Sequence, residues 1–243
     1  RHYHTKRGIS MQVLKFDLKG KTAFFKSPEV NLCYFTYGNI HKPVLLGIFG
    51  AIMGYKGYNN GYDVYPEYYE RLQHLKVSII PGEERGVFDK KFQNFNNSVG
   101  YASQEQGGNL IVREQWLENP KWTIYVSLDS DESFKLADMI KNRECVYMPY
   151  LGKNDHPAVI ENVEILSIEK TEAENQRIHS LAPADDLEFD WDDALYRYEE
   201  YLPAALTERT NQYQMKKFVL TDAEVIAAKV PVYQDGGKNI VFY

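Results

Sequence analysis

His41, Lys42 and Tyr37 stand close together and supply an imidazole, an ammonium and a phenol. Metal-independent RNA cleavage needs those types: a base for the 2′-hydroxyl, a cation for the phosphorane and a donor for the leaving oxygen. After residue 10 the histidines are His41, His74, His156 and His179, and only His41 falls where a polynucleotide groove is expected. The same stretch also reads as an anion seat. Pro43 can occupy the first helical position, so the free amides of that turn point back at Asn39, His41 and Lys42, where a phosphate would be held. His41 is then a general base, a phosphate contact or simply the residue that opens the helix.

The helix behind that seat is the apolar run 44–53, with the length of a buried element. Gly47, Gly50 and Gly54 share one side of it and let it lie close against a sheet, while Leu45, Leu46, Ile48, Phe49 and Ile52 fill the core. Around it, alternation at Leu14, Phe16 and Leu18 predicts a first strand, 76–80 a second, Trp122, Ile124 and Val126 a third, and 162–168 a fourth. Residues 66–75 look helical. Ser130 caps a further helix with Asp131 and Glu132 in its first turn, Lys141 and Arg143 at its end, and Phe134, Ala137, Met139 and Ile140 as its apolar side. Strand, helix, strand, strand, helix, strand is the split βαβ pattern of ferredoxin-like and RNA-recognition domains, so the expected class is α+β.

The connection 81–120 between the second and third strands is about forty residues, far beyond a hairpin loop. Its first half places Phe88, Lys90, Phe92, Asn94 and Asn96 on one side of an extended strand, with Lys91, Gln93, Phe95 and Asn97 on the other. Its second half alternates Leu110, Val112, Glu114 and Trp116 against Ile111, Arg113, Gln115 and Leu117, so the halves can pair as a projecting ribbon. Lysines hold phosphates, aromatics stack on bases and amides read their edges. An ordinary two-faced hairpin with its phenylalanines in the core satisfies the same pattern.

The chain has 243 residues, 44% of them hydrophobic, and a formal net charge of −6. Length allows one large domain or two small ones. The charge is segregated. Residues 172–208 hold eleven acids against Arg177 and Arg197, a balance of −9, whereas residues 11–60 hold six lysines against Asp17 and Glu29, a balance of +4. One basic RNA-facing half and one acidic half that faces protein or solvent fit that split, and so does an acidic solvated tail on an ordinary globular protein. Cys33 and Cys145 lack C-x-x-C spacing and read as two buried thiols, not a disulfide or zinc site. No run reaches the roughly 20 apolar residues of a membrane span and no secretory signal opens the chain, so a cytoplasmic protein is expected. Residues 1–10 read as a leader ahead of a domain over 11–170. Residues 171–243 read as an acidic helical segment around Trp191, Tyr196, Tyr198 and Tyr201, followed by strands at 218–220, 227–233 and 239–242.

Four stretches together carry a resemblance. Lys42-Pro43 followed by LLGIFGAIMG is similar to the polar-Pro-L-x-G-L-x-G-A-x-x-G helix of the Cas-five family, the RAMP-superfamily subunit of type I CRISPR Cascade complexes. The opening strand from Met11, the run NLIVREQWLENPKWTIYVSL and the run MPYLGKNDHPAVIENVEIL agree in order, and the total most resembles subtype I-B. The resemblance implies a RAMP fold whose 81–120 insertion is a thumb clamping the crRNA 5′ handle, with a backbone subunit and a large subunit as partners and PAM-proximal target DNA reached indirectly. It implies no cofactor, no metal and no membrane. The RNA contacts it implies are Lys21, Lys26, Tyr37, His41, Lys42, Pro43, Arg85, Phe88, Lys90, Lys91, Phe92, Gln93, Asn94, Asn96, Arg113, Gln115 and, in the Y-L-G-K turn, Lys153. Subtype I-C relatives cut pre-crRNA with a Tyr and an adjacent Lys and His after the thumb. This chain has Lys121 followed by Trp122 there, so a non-catalytic capping role is expected, with His41, Lys42 and Tyr37 the candidates if it cleaves.

Overall fold

The computed structural model describes residues 10–29, 32–58, 63–96, 100, 104, 106–108 and 110–243. The expected leader, 1–9 of it, and Asn97 lie outside the described residues, and β1 (Ser10–Lys19) already begins at Ser10.

The four strands expected from alternation are adjacent in one sheet. β1 pairs antiparallel on one side with β6 (Lys121–Ser127) and on the other with β7 (Val159–Thr171), and β6 pairs antiparallel with β3 (Val77–Pro81). The order β7-β1-β6-β3 is extended beyond β7 by β13 (Val232–Asp235) and β14 (Lys238–Val241). The end of the chain therefore completes the main sheet. β2 (Thr22–Ala23) leaves that sheet to pair with the base of the ribbon.

α1 (Lys42–Met53) opens one residue before Pro43 and is apolar nearly all round. Leu45, Leu46, Phe49 and Ile52 are buried in the core with Phe16, Leu18, Trp122 and Ile124 of the sheet. Each such side chain contributes about 1.5–3 kcal/mol on burial. The glycine side of α1 faces another helix, not the sheet. A Cβ on Gly50 would stand 2.4 Å from Cβ of Tyr68 in α2 (Glu67–Leu72), so the missing side chain lets α2 cross at close range. Gly54 ends the helix at φ +79, donating its N–H back to Gly50 and Ala51 carbonyls, as left-handed caps do.

α3 (Asp131–Lys141) starts with a reciprocal capping box between Ser130 and Ser133. Its buried side is Ser133, Leu136, Ala137 and Ile140, while the expected Phe134 is 46% exposed. Leu136, three positions ahead of Met139, sits on the inner face instead.

The expected acidic helix is a strand. β10 (Arg197–Leu206) pairs with β11 (Tyr213–Thr221), which pairs with β8 (Ala182–Pro183), and β9 (Leu187–Asp190) pairs with β12 (Glu224–Ala228). The reason is a period of two: Arg197, Glu199 and Tyr201 face out, while Tyr198, Glu200 and Leu202 face in. The inward pair finds polar partners. Gly38 N–H donates to both Glu200 oxygens at 2.8 and 3.1 Å, and Asn39 Nδ2 donates to the Tyr198 hydroxyl and to the Gly86 carbonyl. The strand expected over 227–233 is broken in two between β12 and β13. Cys145 is exposed and Cys33 half-buried, so neither is the buried thiol expected.

Candidate nucleic-acid interface

The insertion forms its ribbon. β4 (Lys90–Asn96) pairs antiparallel with β5 (Ile111–Glu118) in the register Lys91↔Trp116, Phe92↔Gln115, Gln93↔Glu114 and Asn94↔Arg113. The two faces differ. Lys90, Phe92, Asn94 and Asn96 are exposed, and the Arg113 guanidinium lies 4.5 Å from the Phe92 ring centroid. Gln115 sits on the same face, half-buried, with its backbone N–H donated to Tyr34 O at 2.9 Å. This face therefore carries cations, an aromatic ring and amides in one row. Phe88, expected to lead that row, instead packs in the core at 5.2 Å from the Trp122 ring. It precedes the ribbon, where the strand still leaves the body.

The opposite face is docked on the body through Glu114. That carboxylate is 5% exposed, accepts from Trp116 Nε1 at 2.8 Å, and receives Lys153 Nζ on both oxygens at 3.2 Å. Lys153 also pairs with Asp155 at 3.2 Å and stands 4.9 Å from the Phe95 ring centroid. The turn carrying Lys153 is held by Gly152 at φ +93, Leu151 O accepting from Phe24 N–H, and His156 Nδ1 bonded to Thr22 Oγ1 of β2 at 2.6 Å. The His156 ring meets Trp116 edge-on at 4.5 Å. Lys153 is thus a strut between body and ribbon. Lys153→Met should cost about 1–3 kcal/mol in a urea titration, since it strands a buried carboxylate although the lysine itself stays 32% exposed. A loss below about 0.5 kcal/mol would show that the pair carries no weight.

Sequence reasoning missed Glu114 and His156 as parts of this joint. The available signal was a carboxylate alternating with Val112 and Trp116 on one face, since an acid on an apolar side is seldom left unpaired.

The helix junction does not present an open anion seat. His41 is 2% exposed, its Nδ1 accepts from Val44 N–H at 3.5 Å as an N-cap, and its ring meets Phe25, Tyr37 and Tyr213 edge-on. Burial holds its pKa down at about 3, so it stays neutral. Unfolded histidine protonates near pH 6.5, so this residue lowers folding stability as pH falls from about 6.5 toward 3. Lys42 Nζ reaches the backbone oxygen of Tyr243 at 3.2 Å. Burial, then Lys216 and Lys76, pulls its pKa down to about 8. Asn39 is fully buried and accepts from Trp122 Nε1 at 3.0 Å. Pro43 and Tyr37 are buried too. The polar character of these residues points to the surface, but internal partners take their polar groups.

The remaining positions scatter. Lys26 lies 4.0 Å from the Tyr34 ring centroid and Lys91 5.6 Å from that of Trp116, both beside the body-facing side of the ribbon. Lys21 is exposed near the ribbon base, and Arg85 is exposed 5.9 Å from the Tyr196 ring centroid. Among the described residues no group of three or more His, Cys, Asp and Glu side chains is placed to hold a metal ion, and no helix is long and apolar enough to cross a membrane.

No family model and no curated protein matches the sequence. Solved structures do. A chain of a CRISPR RNA-guided surveillance complex superimposes with a TM-score of 0.52 at 15% identity, covering 88% of this chain and 91% of its own. A CRISPR protein from Archaeoglobus fulgidus superimposes with a TM-score of 0.50 at 12% identity, covering 95% of this chain and 98% of its own. At such identities the likeness is one of fold, and it runs through nearly the whole length of each chain.

Proposed function

We propose that this chain is a Cas-five-like subunit of a type I CRISPR surveillance complex, nearest subtype I-B, that caps the 5′ handle of the crRNA. Its β7-β1-β6-β3 order is then a ferredoxin-like RAMP core with a thumb inserted between the second and third strands. The observation that carries the reading is the outer face of the ribbon: Lys90, Phe92 and Asn94 exposed beside Arg113, on a fold shared with a subunit of an RNA-guided complex. Cations along a strand with an exposed ring and amides between them suit a single-stranded polynucleotide. The partners in this reading are the handle, a backbone subunit and a large subunit in the cytoplasm, with PAM-proximal DNA met through the large subunit.

The role is non-catalytic in this proposal. A general base must reach the proton it removes and be able to hold it, and His41 is enclosed by three rings, with burial lowering its pKa to about 3. Purified protein should retard a labelled repeat RNA and leave it uncut over hours, in EDTA and in magnesium alike. A specific product at the handle boundary that disappears in His41→Ala would reverse the assignment to a nuclease, and failure to retard the RNA would remove the capping role.

A further inference from the structure

The body-facing side of the ribbon holds a groove that a strand laid over the outer face would leave empty. It measures about 860 Å3 and is lined by Tyr34, Gln93, Phe95, Glu114, Trp116 and Lys153, among others. That volume falls inside the roughly 300–1,000 Å3 of small-ligand sites. Its lining is balanced in charge, Arg113 and Lys153 against Glu114 and Asp155, so it lacks the net positive charge of a phosphate site, and three aromatic residues in its wall offer flanks against which a flat ring can pack.

A carboxylate offers about four acceptor positions, and bonds from Trp116 Nε1 and Lys153 Nζ occupy three on Glu114. A donor pair that replaces Lys153 on the carboxylate takes over its two bonds, so the buried charge is not stranded when the lysine moves off. Guanine alone among the four RNA bases presents two adjacent donors, N1–H and N2–H2, on one edge; adenine and cytosine present one amino group beside an acceptor, and uracil one imide N–H. We infer that this groove takes a single nucleobase turned under the ribbon, and that Glu114 reads it as guanine, with Lys153 free to serve O6. The inference rests on the RNA-capping reading and adds to it a pocket and a base preference.

The wild-type protein is tested first, by fluorescence anisotropy with octa-uridine carrying one central guanosine, inosine or adenosine. The guanosine strand should bind at least about tenfold more tightly than the adenosine strand, with inosine, which lacks the N2 amino group, in between. In Glu114→Gln one acceptor becomes a donor, so the guanosine-to-adenosine ratio should collapse to within about twofold. Equal affinities for the three strands in wild type would overturn the inference while leaving capping intact. So would an undiminished ratio in a Glu114→Gln protein that melts like wild type. If that variant does not fold, the wild-type series decides alone. If no strand binds wild type while the repeat RNA is still retarded, the guanine pocket falls and capping stands; if the repeat RNA is not retarded either, both fall.

Discussion

Gly152→Ala should destabilise the protein by about 2–6 kcal/mol, the sum of a strained positive φ and local overpacking. A Cβ at this position would stand 1.8 Å from the Phe24 carbonyl oxygen, and the backbone sits at φ +93. The clash cannot be relieved by a side chain turning away, because the opposing atom is backbone. Moving the turn away breaks the Phe24 N–H to Leu151 O bond and displaces Lys153 from Glu114 and His156 from Thr22. The ribbon should therefore loosen with the loss of stability. Urea unfolding followed by circular dichroism gives the first, and limited proteolysis within the ribbon the second. A midpoint unchanged within error would mean that the Phe24 segment yields freely and that the turn does not brace the thumb.

In sequence, Gly152 is the glycine of the Y-L-G-K turn and nothing around it tells what it packs against, and the gap between that and its packed position shows where legibility ends. Elements with a clean period were readable: the alternation of Leu14, Phe16 and Leu18, the apolar run behind Pro43 and the Ser130 cap each lead to an element with nearly the expected bounds. Residues 191–201 were not, because tyrosines interleaved with acids satisfy helical and strand spacing alike until a neighbouring strand is known. Within β4 the ribbon was readable for the same reason as β1, Lys90 sharing a face with Phe92 and Lys91 with Phe95, whereas Phe88 ahead of it turned into the core. Its docking was not. Lys153 and Glu114 are 39 positions apart, and nothing local tells that the turn folds under the second ribbon strand. His41 misled in the opposite direction: a polar triplet before a helix looks like a ligand site, yet here the imidazole caps the helix from within the core.

On the outer face of the ribbon, ring and cations should separate by their salt dependence. Phe92 is 48% exposed, with the Arg113 guanidinium against its ring. Phe92→Ala should weaken handle RNA binding by about 1–3 kcal/mol through lost stacking, and leave the dependence of affinity on salt unchanged. Lys90→Ala combined with Lys91→Ala should flatten that dependence, since every phosphate no longer neutralised by a lysine takes about 0.7 from the slope on a single strand. The two lysines are not equivalent. Lys90 is exposed, whereas Lys91 lies over Trp116 on the body-facing side, so Lys90→Ala alone should account for most of the change in slope. Binding isotherms across a salt series, with circular dichroism as the check on folding, distinguish these outcomes. If affinity and slope are unaltered in both variants while the fold is intact, RNA does not cross this face and the ribbon is not the clamp.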